Sequence, residues 1–409
     1  MEVVHPRCCG LDVHKASLAA CARIQEAGGK ARKEKRRFGT TTGELLRLSD
    51  WLRDRGVTIV AMEATGVYWK PVWHVLEGQF DLVLVNPARL KAIPGKKTDM
   101  KDGERIADLL QHGLLQGSFV PPAPIRELRD LTRSRAVLTQ ERVRVSARIE
   151  KVLEDANVKL GAVVSDVLGV SSRSMLQAII AGEQQPAALA QLARGRLRKK
   201  IGELQQALQG RISDHHRFLL RELLDQVDFV EAKIARLEAR IEERVRPFEW
   251  AVTLWMTMPG VDRVTAWSLI AEVGVDMKQF PTPEQLASWA GVCPGNQESA
   301  GKRQTGKTAP GSVWLRRALC QAAWAASRTK GSYFKAQFHR IAAHRGTKRA
   351  VLAVAHTMLV SGYYMLLQPT IFQDLGETYF ERRNADSLTR YHVRRLEKLG
   401  HKVILEPAA

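Results

Sequence analysis

The sequence lacks most of the features that would point to a disulfide scaffold, a cysteine metal centre or a membrane anchor. Five cysteines occur in 409 residues, at positions 8, 9, 21, 293 and 320. Their number is odd and no two have CxxC spacing, which leaves both a disulfide framework and a zinc site without support. The opening residues, MEVVHPRCCGLDVHK, contain no charged-then-apolar run of the secretory type. The longest apolar stretch, Val351 to Leu367, carries His356 and Ser361 and falls short of a typical membrane span, so it reads as a buried helix. These absences lead us to expect a cytoplasmic protein with no membrane contact. No GxSxG elbow occurs either, and a hydrolase triad therefore has no support.

A more telling scarcity is local. Between Glu298 and Asp374 there is no acidic residue, while twelve Lys or Arg occur. Trp314, Trp324, Tyr333 and Phe334 are interleaved with them. Unneutralised cations mixed with aromatic rings suit a phosphate-binding surface. The whole chain is biased the same way, with 63 Lys and Arg against 43 Asp and Glu and a net charge of +20. A surface that basic attracts polyanions, nucleic acid first among them. At 45% hydrophobic and 26% charged residues, the composition is that of a globular chain long enough for two or three domains.

Periodicity divides the chain. Strand-like segments at Arg7–Val13, Ser17–Ile24, Glu34–Phe38, Val57–Met62 and Phe80–Val85 alternate with helix-like segments at Thr42–Asp54, near Tyr68, and from Asp99 to His112. This interleaving predicts a mixed α/β domain over residues 1–120, closed by the Pro-rich linker Val120–Pro124. Helical patterning follows over 121–247. Leu220, Leu223, Val227, Val230, Ile234, Leu237 and Ile241 keep a 3-4 spacing without a miss, as a coiled coil or an antiparallel helix pair requires. An oligomerisation arm and a long helix packing on its own chain both satisfy that pattern. A Gln- and Ala-rich insert with the basic knot Arg194–Lys200 interrupts it. A compact helical domain is expected over 248–370, and a charged extension over 371–409.

Four carboxylates stand out by placement. Asp12 ends the first strand in GLDVHK, Glu63 ends the fourth in MEATG, and Asp99 and Asp102 open a helix at i,i+3 spacing, on one face. Carboxylates at strand exits are displayed on a sheet's rim, and phosphodiester chemistry uses such clusters because hard oxygen ligands hold Mg²⁺. Taken singly, Asp12 also suits a turn, Glu63 a surface, and Asp99 and Asp102 a helix cap. Their order along the chain is far more specific.

GLDVHK, MEATGVYW and KTDMKDGERIA resemble the three signature blocks of the DEDD transposases, the insertion-sequence "one-ten" family that includes the Piv DNA invertase. The resemblance implies an RNase H-like N-terminal domain similar to the junction resolvase RuvC, with a metal-binding tetrad of Asp12, Glu63, Asp99 and Asp102. Gly103 stands where the family commonly has Ala, which weakens the helix slightly. Farther on, AGVCPGNQESAGKR resembles the family's second conserved block, whose serine, the proposed nucleophile, falls on Ser299. Lys302, Arg303, Lys307, Arg316 and Arg317 lie in the neighbouring blocks and are expected to contact nucleic acid. Pro310-Gly311 replaces a Lys-Gly or Arg-Gly step common in the family, removing one phosphate contact. The fold class implied is α/β plus α, with a central coiled-coil or helical region and a C-terminal helical transposase domain.

The implied function is a DNA transposase or site-specific recombinase that uses Mg²⁺, acts as a homo-oligomer (dimer or tetramer), and works with a noncoding guide RNA. Two other readings stay open on the residues alone: a metal-only RuvC-like endonuclease with Ser299 structural, and a non-catalytic nucleic-acid binder. Two patterns are rejected. GKRQTGKT at 301–308 matches the Walker A letters but follows a Pro/Gly-rich loop and runs into Pro310-Gly311, and no acidic residue follows until Asp374. His215-His216 and the pair His339 and His344 lack metal spacing. Met258–Ala266 resembles a helix-hairpin-helix turn, but with Asp262 in place of the second Gly a packing role is expected.

Overall fold

Small and β-branched residues let Arg7–Val13 (β1) and Ser17–Ile24 (β2) pair as an antiparallel hairpin, in register from Arg7 opposite Ile24 to Val13 opposite Leu18. This is the start of the N-terminal unit in a computed structural model describing residues 2–25, 32–87, 90, 102–293, 297–299, 302–305, 308, 311–383 and 385–405. The chain divides into two compact units, Met1–Pro121 and Pro122–Ala409.

In the first unit the hairpin is extended on one side by the antiparallel Arg32–Gly39 (β3). On the other side lie the parallel Ile59–Glu63 (β4) and Asp81–Val85 (β5), then the short antiparallel Gly117–Ser118 (β6). The strand order is β3-β2-β1-β4-β5-β6, a mixed sheet as the alternating pattern predicts. Side chains alternate across it. Leu11 and Val13 of β1, with Val60, Met62 and Leu84, join Leu45, Leu48, Trp51 and Leu52 of Thr42–Asp54 (α1) and Val72 and Leu76 of Trp69–Leu76 (α2) in one core. Cys8, Ala61 and Val85 point the other way, under Ile106, Leu109 and Leu110 of Asp102–Gln111 (α3). Boundaries shift slightly from expectation. β3 extends past Glu34–Phe38 at both ends, β4 begins at Ile59, and of the expected helix Asp99–His112 the part before Asp102 lies outside the described residues.

The contact between α3 and β1 is backbone on backbone. A Cβ added at Gly10 would stand 2.3 Å from the Gly103 carbonyl oxygen and 2.4 Å from the Ala107 nitrogen. One added at Gly103 would meet the Ala19 carbonyl oxygen at 3.1 Å. Gly103 is thus a packing residue as well as a slightly weak helix former.

In the second unit, Ala123–Asp155 (α4) and Asp214–Val245 (α9) run antiparallel along each other. Arg135 pairs with Glu238 and Arg142 with Glu231, Arg148 bonds to Gln226 and His216 to Asp155, so each step up one helix matches a step down the other. The 3-4 series is therefore satisfied within the chain: Leu220, Leu223, Val227, Val230 and Ile241 are buried. The Pro-rich linker is shorter than expected, because α4 begins at Ala123 and takes Pro124 into its first turn, where a missing N–H costs nothing. The insert folds as Leu160–Val163 (α5), Val170–Ala181 (α6), Pro186–Gln191 (α7) and Ile201–Ala207 (α8), around a core shared with the ends of the two long helices. The basic knot forms a 3-10 turn, Gly195–Lys200, with no buried residue.

Glu249–Met256 (α10), Arg263–Val273 (α11), Pro283–Trp289 (α12), Val313–Ala326 (α13), Tyr333–Arg345 (α14) and Thr347–Leu367 (α15) complete the helical part. By length and composition α15 could cross a membrane, with a mean hydropathy of 1.6, yet 56% of that apolar window is buried inside the protein. It is a core helix, as expected. Tyr379–Arg383 (α16) and Ala385–Lys398 (α17) follow.

Gly10→Ala cannot be absorbed by a side-chain rotation, since both close neighbours are backbone atoms. We expect it to lower stability by about 2 kcal/mol or more through overpacking, read as a drop in denaturation midpoint. A midpoint equal to that of the native protein would show that α3 does not rest on β1 as described.

Candidate functional site

Register brings two of the expected acids to one rim. Leu11 of β1 is paired with Met62 of β4 in parallel register, so Asp12 and Glu63 occupy the next step on adjacent strands. Both are half-buried. Asp102 begins α3, whose next residue, Gly103, lies 3.6 Å (from its would-be Cβ) from the Asp12 nitrogen. The helix start and the two strand exits therefore converge. Asp99 lies outside the described residues. Carboxylate oxygens are the donor type that a hard divalent cation takes. Among the described residues, no three His, Cys, Asp or Glu side chains stand close enough together to hold such an ion.

A cleft of about 310 Å³ opens beside Asp12. It is lined by His14, Ser17, Ala19, Lys35, Arg36, Arg37 and Glu104, among others. His14 Nε2 is 3.1 Å from Asp12 Oδ2, so the tautomer protonated at Nε2 donates to that carboxylate. Glu104, on α3, accepts from Lys33 at 2.8 Å and Lys35 at 2.6 Å, and these two bonds hold its carboxyl down at about 2. Cys8 and Cys21 lie nearby, but burial pushes Cys8 up to about 12 and raises Cys21, so both stay protonated thiols without nucleophilic character.

The serine loop belongs to the second unit. Gln297–Ser299 (β7) pairs antiparallel with Lys302–Thr305 (β8), and Ser299 is the register partner of Lys302, with Glu298 opposite Arg303. Lys307 lies outside the described residues. The stem of this loop is well defined. A Cβ on Gly311 would sit 2.4 Å from both the Ala290 carbon and the Gly291 nitrogen, so the two ends of the loop touch through backbone. Beside that contact Ser312 caps α13 and donates from Oγ to Glu272 Oε2 at 2.9 Å. Glu272, fully buried on α11, also takes a two-pronged bond from Arg133 of α4 at 2.7 and 2.8 Å. Arg129 donates to the carbonyls of Ala271 and Glu272.

Of the cations expected to meet nucleic acid, Arg317 is exposed with its guanidinium 5.4 Å from the Trp314 ring, whereas Arg316 is half-buried. Arg328, Lys330, Arg340, Arg345, Lys348 and Arg349 are exposed, and no described salt bridge neutralises them. Two motif expectations are settled here. β8 runs through the Walker-like letters, and the next helix among the described residues starts only at Val313, so the described residues form no strand–loop–helix cradle. Asp262 caps α11 by accepting from Thr265 N, while Met258 and Val261 are buried, which makes the hairpin-like turn a packing element.

Sequence reasoning missed His14, the cations of β3, Glu104 and Glu272. The run Arg32–Arg37 was a visible signal for β3. Nothing local marks Glu272 as buried, since its partners are 139 and 40 residues away.

Glu272→Ala should destabilise the second unit by about 3 kcal/mol in denaturant unfolding, toward the low end for a broken buried pair because Arg133 keeps a third of its side chain exposed. A loss below about 1 kcal/mol would show that the network does not hold the loop stem. Glu104 gives a pH test. Its carboxyl titrates lower folded than unfolded, so its contribution to stability is present above pH 4.5 and is lost as pH falls toward 2. Glu104→Gln should therefore melt below the native protein at neutral pH and close that gap across this acid window. A gap independent of pH would disprove the tether.

Comparison with known proteins agrees with the two halves of this description. A DEDD-type model described as Transposase matches residues 9–158, and one described as Transposase IS116/IS110/IS902 family matches residues 252–339. A probable family 20 transposase of Pseudomonas aeruginosa is 26% identical over 283 residues, covering 68% of this chain and 74% of the relative. Among solved structures, that of Thermus thermophilus RuvC matches 27% of this chain and 99% of its own, at 14% identity and a TM-score of 0.22. The models span the acidic sheet and the serine-bearing helical part, and the chain belongs to the IS116/IS110/IS902 family of transposases.

Proposed function

We propose that this transposase cuts and rejoins DNA through a serine nucleophile, Ser299, with Asp12, Glu63, Asp99 and Asp102 acting at the same scissile phosphate. The observation that carries the reading is the pairing of β1 with β4, which sets Asp12 one step from Glu63 across adjacent strands, together with the seating on β1 of the helix that Asp102 begins. The first unit is then an RNase H-like nuclease domain, and the second combines an arm over 121–247, a helical transposase domain over 248–370 and a charged extension over 371–409.

In the forward step the Ser299 hydroxyl attacks phosphorus, a serine–phosphate ester forms, and the bond to one sugar oxygen breaks. The hydroxyl's proton is lost and the departing sugar oxygen gains one. Attack by a second DNA hydroxyl on the phosphoserine reverses the exchange, rejoins DNA and frees the serine. Lys302, opposite Ser299 in the hairpin ladder, and Arg303 would favour the alkoxide by charge. Magnesium held by the four carboxylates would supply stabilisation of negative charge in the transition state. Arg317 on Trp314 and the acid-free surface between Glu298 and Asp374 would hold the DNA backbone, with Lys307 and Arg316 beside them. Two duplexes must be cut, which calls for a homo-oligomer, a dimer or tetramer, and the same basic surface suits a noncoding guide RNA.

The reading is tested with labelled DNA carrying the element's ends, incubated with Mg²⁺ and any copurifying RNA. The native chain should leave a protein–DNA adduct that survives denaturation and maps to Ser299. Ser299→Ala should abolish that adduct and the cutting with it, and Asp12→Asn or Asp102→Asn should slow cutting by about a hundredfold or more. Cutting by Ser299→Ala at the native rate would instead establish a metal-only nuclease. Full activity in both Asp variants would remove the acids from the chemistry.

A further inference from the structure

Among the described residues lining the cleft beside Asp12, one cation has no partner. On β3, Lys33 and Lys35 are bound to Glu104, Arg32 to Glu34, and Arg36 lies 5.0 Å over the Phe38 ring. Arg37 is exposed and has no acidic, hydrogen-bonding or aromatic partner among the described residues. Its place in the sheet is fixed by register. Arg37 is opposite Ala19 on β2, and Ala19 is opposite Asp12 on β1. Directly opposed residues share a face, so Arg37, Ala19 and Asp12 form one row, with Glu63 at the next strand. Strands lie about 4.8 Å apart, which puts the Arg37 and Asp12 backbones roughly 10 Å from each other. Ala19 stands between them in the sheet and lines the cleft.

A lone guanidinium set in one row with a carboxylate across Ala19 is a poor structural device. It makes no described ion pair with Asp12, which is bonded to His14. It is well suited to an anion placed in the gap. A phosphodiester is the anion that fits, because guanidinium binds its oxygens with two parallel bonds.

We propose that Arg37 anchors a backbone phosphate of the DNA strand whose scissile bond is presented to the acidic rim, making the β3 edge a track for that strand. This rests on the reading of the acids as a phosphodiester site, and its test is chosen to fail separately from that reading. Full-length protein is titrated with a fluorescent four-way DNA junction in metal-free buffer, over a range of salt. Arg37→Ala should bind roughly tenfold more weakly near 100 mM salt, the loss of one charged hydrogen-bonding group, and the slope of log affinity against log salt should fall by about one. Arg37→Lys should keep the slope and recover only part of the affinity, because an ammonium cannot fork. Arg32→Ala, which removes an equal charge already paired with Glu34, should leave the slope unchanged.

An Arg37→Ala slope equal to that of the native protein, an equal fall in Arg32→Ala, or no salt-dependent junction binding at all overturns the proposal. Unchanged melting temperatures of the exposed-site variants exclude misfolding as the cause. The same titrations in an Asp12→Asn background do not depend on cutting. Loss of cutting in Asp12→Asn with no Arg37 effect condemns the track alone, while native cutting in Asp12→Asn with the Arg37 effect intact condemns the acids alone.

Discussion

The first unit depends on a place where two backbones touch. Helix α3 lies on β1 with no side chain between Gly10 and the turn from Gly103 to Ala107. Glycine in a strand interior gives up packing area and chain entropy, and its usual return is close approach of another backbone. Here the return is positional. With α3 seated that deeply, its first residue comes down beside the exits of β1 and β4 instead of standing a side chain's width above them. Ala61 on β4 and Ala107 on α3 continue the small-residue seam, and the larger Ile106, Leu109 and Leu110 fill the space farther along the helix. Interiors packed at crystal density do not deform gradually, so a methyl at Gly10 would move the whole helix, and Asp102 with it.

The second unit solves a similar problem with charge. A serine on a loop is only as well placed as the loop's stem. Gly311 pins the returning strand to Ala290–Gly291 by backbone contact, and Ser312 ties the next helix to Glu272. Glu272 is a buried carboxylate, expensive to desolvate, and its burial is compensated by Arg133, which meets both oxygens, and by Ser312, which donates a third bond. Such a pair adds little net stability compared with an apolar packing, but it accepts only one geometry. Through it the first long helix, the helix α11 and the cap of α13 share one register. The glycine of the Pro310-Gly311 step, where proline stands in place of the family's cation, thus has a structural duty of its own.

Much of this was legible in the sequence. The hairpin β1–β2 and helix α1 follow the expected segments residue for residue, because apolar alternation and a clean amphipathic helix are local signals. Asp12 and Glu63 at strand exits were equally visible, since strand ends can be read from where the apolar run stops. The pairing of α4 with α9 was half legible. The 3-4 spacing requires a partner helix but cannot say whose, and the chain supplies its own. What could not be read depends on contacts between distant segments. Gly103 looked like a weakened helix position until β1 was laid against it. Glu272 reads as an ordinary helical glutamate, and Arg37 as one more cation in a basic run. Each acquires its meaning only from residues tens of positions away.

The distribution of positive charge follows from the same logic, and it separates two tasks. On β3 three of the five cations are paired with Glu34 and Glu104, so part of its charge is offset close by, and salt screens the rest at a distance. Among the described residues of the strand, Arg36 rests over the Phe38 ring and Arg37 has no acidic partner. The helices between Glu298 and Asp374 do the reverse. With no acid in the segment, their cations keep their field, and charges of that kind raise encounter rates and bind any polyanion in a salt-dependent way. Spreading the charge evenly would have given both units moderate attraction and neither of them registry. Leaving the acid-free segment of the second unit with its full field, while the first unit pairs part of its charge, puts the stronger attraction for a polyanion in the second unit.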